Sequence, residues 1–182
     1  MVFRFILVSN EVDDFRRDIE IDATATFKDL DTAILDSVNY ASNSITSFDL
    51  CDNKWGKIAE IALFDDAPRM DTDVYLMHKT VLSDMLTDEG QKLLYTFDII
   101  GDRKFHIELR EIRIKEHLSQ AQTTKSLGVP PPQESDLIFQ FEESNSTYPT
   151  LSNPEPEFME DEIESWGLEE DFLDDSYSIE EY

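Results

Sequence analysis

Apolar residues recur along this chain at two periods, two in some segments and three to four in others, and each change of period marks a new element. Residues 2–9 are apolar and β-prone. Residues 15–21 (Phe15-Arg16-Arg17-Asp18-Ile19-Glu20-Ile21) alternate, and Asn10 to Asp14 separate the two, which predicts a hairpin. The period then lengthens. Phe27, Leu30, Ile34, Val38 and Ala41 form one stripe at helical spacing, behind a Thr26 that can cap a helix and an Asp29 three positions on. The turn composition of residues 52–56 divides two further strands, over 45–51 and 57–64. A short helix over 79–86, closed by Gly90, is expected next. In the last hairpin, Leu93, Tyr95, Phe97 and Ile99 share a face and Phe105, Ile107, Leu109 and Ile112 or Ile114 supply the partner, around a turn at Gly101-Asp102.

This order predicts an α+β fold, a mixed β-sheet with one long helix packed on a face in a β-grasp-like arrangement, occupying residues 1–118. Residues 119–135 include Pro130, Pro131 and Pro132 and read as an exposed linker. The remaining residues, 136–182, read as a disordered acidic tail.

Charge sharpens that division. Of 182 residues, 15 are Lys or Arg and 41 are Asp or Glu, giving a formal net charge of −26. Residues 1–125 hold all 15 cations against 24 acids, a net −9, and residues 126–182 hold 17 acids and no cation. A polyanion repels phosphate backbones and anionic lipid, so neither direct nucleic-acid binding nor membrane association is expected. Cys51, the single cysteine, excludes an internal disulfide and a cysteine-built zinc cage, and reads as a small core residue. Residues 2–8 are expected not to serve as a signal sequence, being too short, interrupted by Arg4 and closely followed by Glu11, Asp13 and Asp14, and no apolar run approaches the length that spans a bilayer. The cytoplasm is the expected compartment.

Several segments resemble the plasmid-borne ORF-three-like family of agropine Ri plasmid type. They are the opening strand, Phe15-Arg16-Arg17, the helix start Thr26-Phe27-Lys28-Asp29-Leu30, and the stretch from Leu94-Tyr95-Thr96-Phe97-Asp98 through Gly101-Asp102 to Phe105-His106. A fainter echo lies at Gly128-Val129-Pro130-Pro131-Pro132-Gln133-Glu134. Where that family often carries Leu-His in the helix this chain has Leu30-Asp31, and Ser44 to Phe48 replace its His-x-His stretch, so a site built on those histidines is lost. The resemblance implies an α+β fold and no settled activity.

Asp98, Asp102 and His106, spaced four apart across the last hairpin turn, form the best catalytic set: an Asp–His pair can act as base and orienter or ligate a metal. The plainer reading is a turn, which Asp favours, with His106 on the solvent face of its strand. Residues 65–76 are expected as an acidic loop, where Asp65, Asp66, Asp71 and Asp73 could offer oxygen ligands but lack the spacing of a calcium loop, so a solvated loop is the better reading. No cofactor or metal is expected.

In the tail, Phe158, Ile163, Trp166 and Phe172 stand among carboxylates, and Met159, Ile163 and Trp166 fall at helical spacing. Such segments can fold onto basic, apolar-grooved partners; the alternatives are a solubilising tail with incidental aromatics and docking of this segment back onto its own domain. The sequence therefore favours a non-catalytic protein-interaction or accessory module with a basic-surfaced protein partner. A small hydrolase using the Asp/His set and a nucleic-acid mimic are the alternatives.

Overall fold

Alternation in the first twenty-two residues does produce a hairpin. In the computed structural model, which describes residues 1–64 and 74–134, β1 (Val2–Ser9) pairs antiparallel with β2 (Arg16–Asp22), Phe5 facing Ile19 and Leu7 facing Arg17. A second hairpin joins β3 (Ser47–Cys51) to β4 (Lys57–Ala62), with β5 (Val74–Leu76) alongside β4. A third joins β6 (Lys92–Asp98) to β7 (Arg103–Arg113), and β8 (Gln122–Leu127) follows. Among the described residues, all eight strands share one mixed sheet, in the order β5-β4-β3-β6-β7-β1-β2-β8, parallel only between β4 and β5.

Helix α1 (Phe27–Val38) starts where the sequence places it. The Asp29 N–H donates to Thr26 Oγ1 at 3.2 Å and the Thr26 N–H donates to Asp29 Oδ2 at 2.8 Å, a reciprocal cap that satisfies two free donors of the first turn. It stops at Asn39, whose φ of 58° is a left-handed cap, one turn short of Ala41. Phe27, Leu30, Ile34 and Val38 are buried against Phe3, Phe5 and Leu7 of β1, Ile19 and Ile21 of β2, and Phe48, Tyr95 and Phe105 of the neighbouring strands. Aromatic rings run through this core: Phe97 and Phe105 stack at 4.5 Å, Phe15 and Phe105 at 5.2 Å, and Phe48 lies 4.8 Å from Tyr95.

Three expectations change. The helix expected over 79–86 contracts to α2 (Leu82–Met85), because the N–H groups of Leu82 and Ser83 donate to Ala25 and Ala23 carbonyls and the segment is held by the chain ahead of α1. Residues 74–76, expected as loop, add β5 to the sheet edge. Within residues 119–135, expected as linker, β8 pairs with β2, and the residues after it are strapped to the domain. Arg17, on the core side of β2, donates from Nε to the Ser37 carbonyl at 2.9 Å and from Nη1 to the Leu127 carbonyl at 2.6 Å. The Gln133 side chain pairs with the backbone of Ala41, donating to its carbonyl and accepting from its N–H, both at 2.8 Å, and Tyr40 donates to the Pro131 carbonyl. The proline run is thus a pinned strap, at least to Glu134.

By its contacts the chain divides into two units, Met1–Thr147 and Tyr148–Tyr182. The acidic loop of residues 65–73 and the acidic segment of 136–182, with Phe158, Ile163, Trp166 and Phe172, lie outside the described residues.

Candidate functional site

The sheet buries one face under α1 and leaves the other open. On that open face Arg4, Ile6 and Val8 of β1 stand beside Glu20, Asp18 and Arg16 of β2 and, on the other flank, Glu111, Glu108 and His106 of β7. Long side chains roof it with ion pairs. Arg16 Nε lies 2.6 Å from Asp18, Arg4 Nε 2.8 Å from Glu111, Arg110 Nη1 2.9 Å from Glu108, and Lys57 Nζ bridges Asp49 and Glu60 at 2.7 and 2.8 Å. The bond from Arg16 holds the Asp18 carboxyl below its ordinary range, against the opposing effect of burial.

A groove of about 390 Å³ opens at the centre of this face, between Arg4, Arg16, Arg110, Trp55 and His106. Trp55 reaches it from the β3–β4 turn. There the Asp52 carboxylate accepts from the N–H groups of Lys54 at 2.7 Å and Gly56 at 2.8 Å, and Trp55 sits at φ 68°. That left-handed conformation is an outlier for a bulky side chain. The indole meets the His106 ring edge-on, 4.6 Å between centroids, and Lys92 Nζ lies 4.8 Å from the indole centroid. His106 Nδ1 is buried with no hydrogen-bond partner among the described residues, and Nε2 lies 3.4 Å from Asn10 Nδ2. Burial, aided by Lys104, pulls the imidazole below its ordinary value.

The three sequence candidates are therefore divided between two places. His106 lies opposite Leu94 and Val8, within the groove. Asp98 lies opposite Arg103, three positions from His106, about 10 Å along the strand at 3.3 Å per residue and of opposite side-chain parity. Asp98 Oδ1 accepts from the Gly101 N–H at 2.9 Å, while its Oδ2 is buried without a hydrogen-bond partner among the described residues. Asp102 is exposed at φ 50° and pairs with Lys104 Nζ at 2.9 Å. The carboxylates and the imidazole do not share a reaction centre. Among the described residues there is also no group of three or more His, Cys, Asp or Glu side chains placed to hold a metal ion.

One polar cluster escaped the sequence reading. Asp31 of α1, wholly buried, accepts from Tyr95 OH, Thr46 Oγ1 and Lys28 Nζ, each at 2.7 Å. Burial, then the adjacent Asp31 carboxylate, drives the Tyr95 hydroxyl far above its ordinary value, so it serves as a fixed donor. The cluster occupies the helix position and part of the following stretch where the resembled family carries histidines. Its one sequence signal was an acid beside Leu30 on an apolar stripe. Cys51 is buried as expected, and burial with the nearby Asp49 raises its thiol.

Fold and site together define a strand-rich α+β domain with one sheet face open to solvent and a catalytic-looking triplet that does not assemble. The chain belongs to the plasmid pRiA4b ORF-3-like protein family, whose profile matches residues 5–180. Its fold is similar to that of a protein of unknown function from Methanosarcina mazei Go1, with a TM-score of 0.61, 21% identity, and 80% of each chain covered. A comparison with the curated proteins finds no match. No helix among the described residues is long and apolar enough to cross a membrane.

Proposed function

We propose that this protein is a non-catalytic protein-interaction or accessory module that presents the open sheet face as a rigid contact surface. Trp55 carries the reading. An aromatic ring held at positive φ and laid on a histidine across the face is conformationally costly, and such strain collects at functional positions. Trp and Arg are also the side chains that dominate protein–protein contacts. The acidic residues 136–182, with Phe158, Ile163, Trp166 and Phe172 as apolar anchors, contact a basic surface on the same partner, and the cytoplasm is the compartment assigned. Within the fold, the β-grasp-like comparison is kept for the β1–β2–α1 unit, a hairpin running straight into a helix. A hydrolase built on Asp98, Asp102 and His106 gains no support from their placement.

The test is affinity capture on the immobilised full-length chain, read by mass spectrometry, with Trp55→Ala as the paired bait. A partner held by the full chain is expected to fall at least tenfold on the variant. Equal recovery on both baits would remove the sheet face from the interaction. Deletion of residues 136–182 is expected to leave the circular dichroism of the domain intact while weakening the same partner.

A further inference from the structure

The turn between β6 and β7 carries side chains that turn geometry does not require. Polar groups do the structural work there. Ile99 accepts through its carbonyl from the Asp102 N–H at 3.3 Å, Asp98 accepts from Gly101, and Asp102 supplies the left-handed residue. The side chains of Ile99 and Ile100 contribute nothing to that closure, yet these residues are 53% and 67% exposed, and Ile45, 52% exposed, joins them. Together with Phe97 they line a cavity of about 270 Å³ whose rim includes Glu134. Clustered exposed aliphatics mark contact surfaces more often than isolated ones do.

Asp98 gives this apolar notch a chemical preference. It lines the cavity and is 8% exposed, with one oxygen that accepts no hydrogen bond among the described residues. The cation beside it, Arg103 Nη1 at 3.8 Å, belongs to a guanidinium already bound to Glu11 through Nη2 at 2.6 Å and Nε at 3.0 Å. A half-satisfied buried carboxylate within an apolar cavity, with Glu134 at the edge, favours a ligand that brings both a hydrocarbon and a donor. We propose that the β6–β7 tip is a docking notch for a basic-apolar segment of a protein partner, an aliphatic side chain entering among Ile45, Ile99 and Ile100 with a Lys or Arg beside it to meet Asp98 and Glu134. The sign of the charge selects this occupant over an acidic or neutral one: both ionisable groups in the cavity wall are carboxylates, on a chain of net charge −26 that draws cationic segments toward it. The inference rests on the interaction-module reading and adds a second contact to it.

The experiment is an NMR titration of the full-length, methyl-labelled chain with the synthetic peptide acetyl-Gly-Ile-Leu-Arg-Lys-Gly-amide. Controls replace Arg-Lys with Glu-Glu, or Ile-Leu with Ser-Ser. The parent peptide is expected to shift the methyl signals of Ile45, Ile99 and Ile100, and each control to bind at least tenfold more weakly. Ile100→Ser, at an exposed position, is expected to weaken the parent peptide at least tenfold with an unchanged fold spectrum. Shifts confined to residues outside the notch, or equal binding by Ile100→Ser, would overturn the proposal. Trp55→Ala separates the two readings: peptide binding that survives it supports an independent notch, whereas a partner lost on Trp55→Ala but kept by Ile100→Ser retains the sheet face and overturns the notch.

Discussion

Single residues here owe their roles to what surrounds them more than to their type. Asp31 looks misplaced on an apolar helix stripe until Tyr95, Thr46 and Lys28 are seen to donate to it. Asp31→Ala would strand two buried hydroxyls in the core, and urea unfolding is expected to show a loss of about 3 kcal/mol. Sequence spacing could not show this, because the two hydroxyl donors come from positions 15 and 64 residues away. The same blindness affects the Asp98–Asp102–His106 set. A spacing of four suggests neighbours, but the hairpin register puts Asp98 opposite Arg103 and sends His106 to the other side of the sheet. His106 carries a prediction of its own. Burial and Lys104 both disfavour the imidazolium, so the ring stays neutral through the ordinary midpoint near 6.5 and takes its proton only at lower pH. Stability owed to the neutral ring is thus kept above that midpoint and lost as pH falls through the depressed value. An NMR titration of the ring protons is expected to give a midpoint under 6.5.

At the scale of elements, legibility followed burial. Helix α1 and the β6–β7 hairpin were readable because each has one face in the core, which imprints a period on the sequence. Helix α1 also carries its cap in plain view at Thr26 and Asp29. Strand β8 was not readable. All six of its residues are exposed, so no alternation distinguishes Gln-Thr-Thr-Lys-Ser-Leu from a linker, and polarity with a lysine is how an edge strand avoids pairing with another chain. The strap after it depends on close approach. Gly128 sits at φ 64°, and a Cβ there would come within 2.5 Å of the Asp14 carbonyl oxygen. Gly128→Ala is expected to cost about 1–3 kcal/mol and to speed amide exchange in β8. Between β7 and β8, Asp22 anchors the chain. Its carboxylate accepts from the N–H and hydroxyl of Thr24, the N–H of Leu118 and the His117 ring, which together hold it at about 2. The unfolded chain titrates this group near 3.9. Its stabilisation is therefore full above about pH 4 and is lost as pH falls toward 2, and Asp22→Asn is expected to flatten that part of an acid-unfolding curve.

For the molecule as a whole, the coarse architecture was legible and its extent was not. A mixed sheet with a helix on one face followed from the alternation of periods. The eight-strand span did not, because both edge strands are short or polar and the pairing of β1 with β7 joins distant segments. That span gives an acidic protein a broad face on which Arg4, Arg16, Arg110 and Lys57 are tied up in ion pairs with neighbouring acids, which leaves Trp55 and the groove beside it as the features the proposed contact would use. Raised salt is expected to loosen the exposed pairs while leaving the domain folded, since surface ion pairs contribute little each and the aromatic core contributes most. Thermal unfolding in low and high salt, compared at neutral pH, would show this as a small shift in Tm.

The interior position of β1 also sets a timetable. Phe3, Phe5 and Leu7 leave the ribosome about a hundred residues before β7, the strand that must flank them, has been made. At roughly 5–20 residues per second, the nascent chain carries that sticky first hairpin without its second neighbour for about 5–20 s. A sheet wired this way cannot close until β7 has emerged, and until then β1 is where a chaperone would have to hold on.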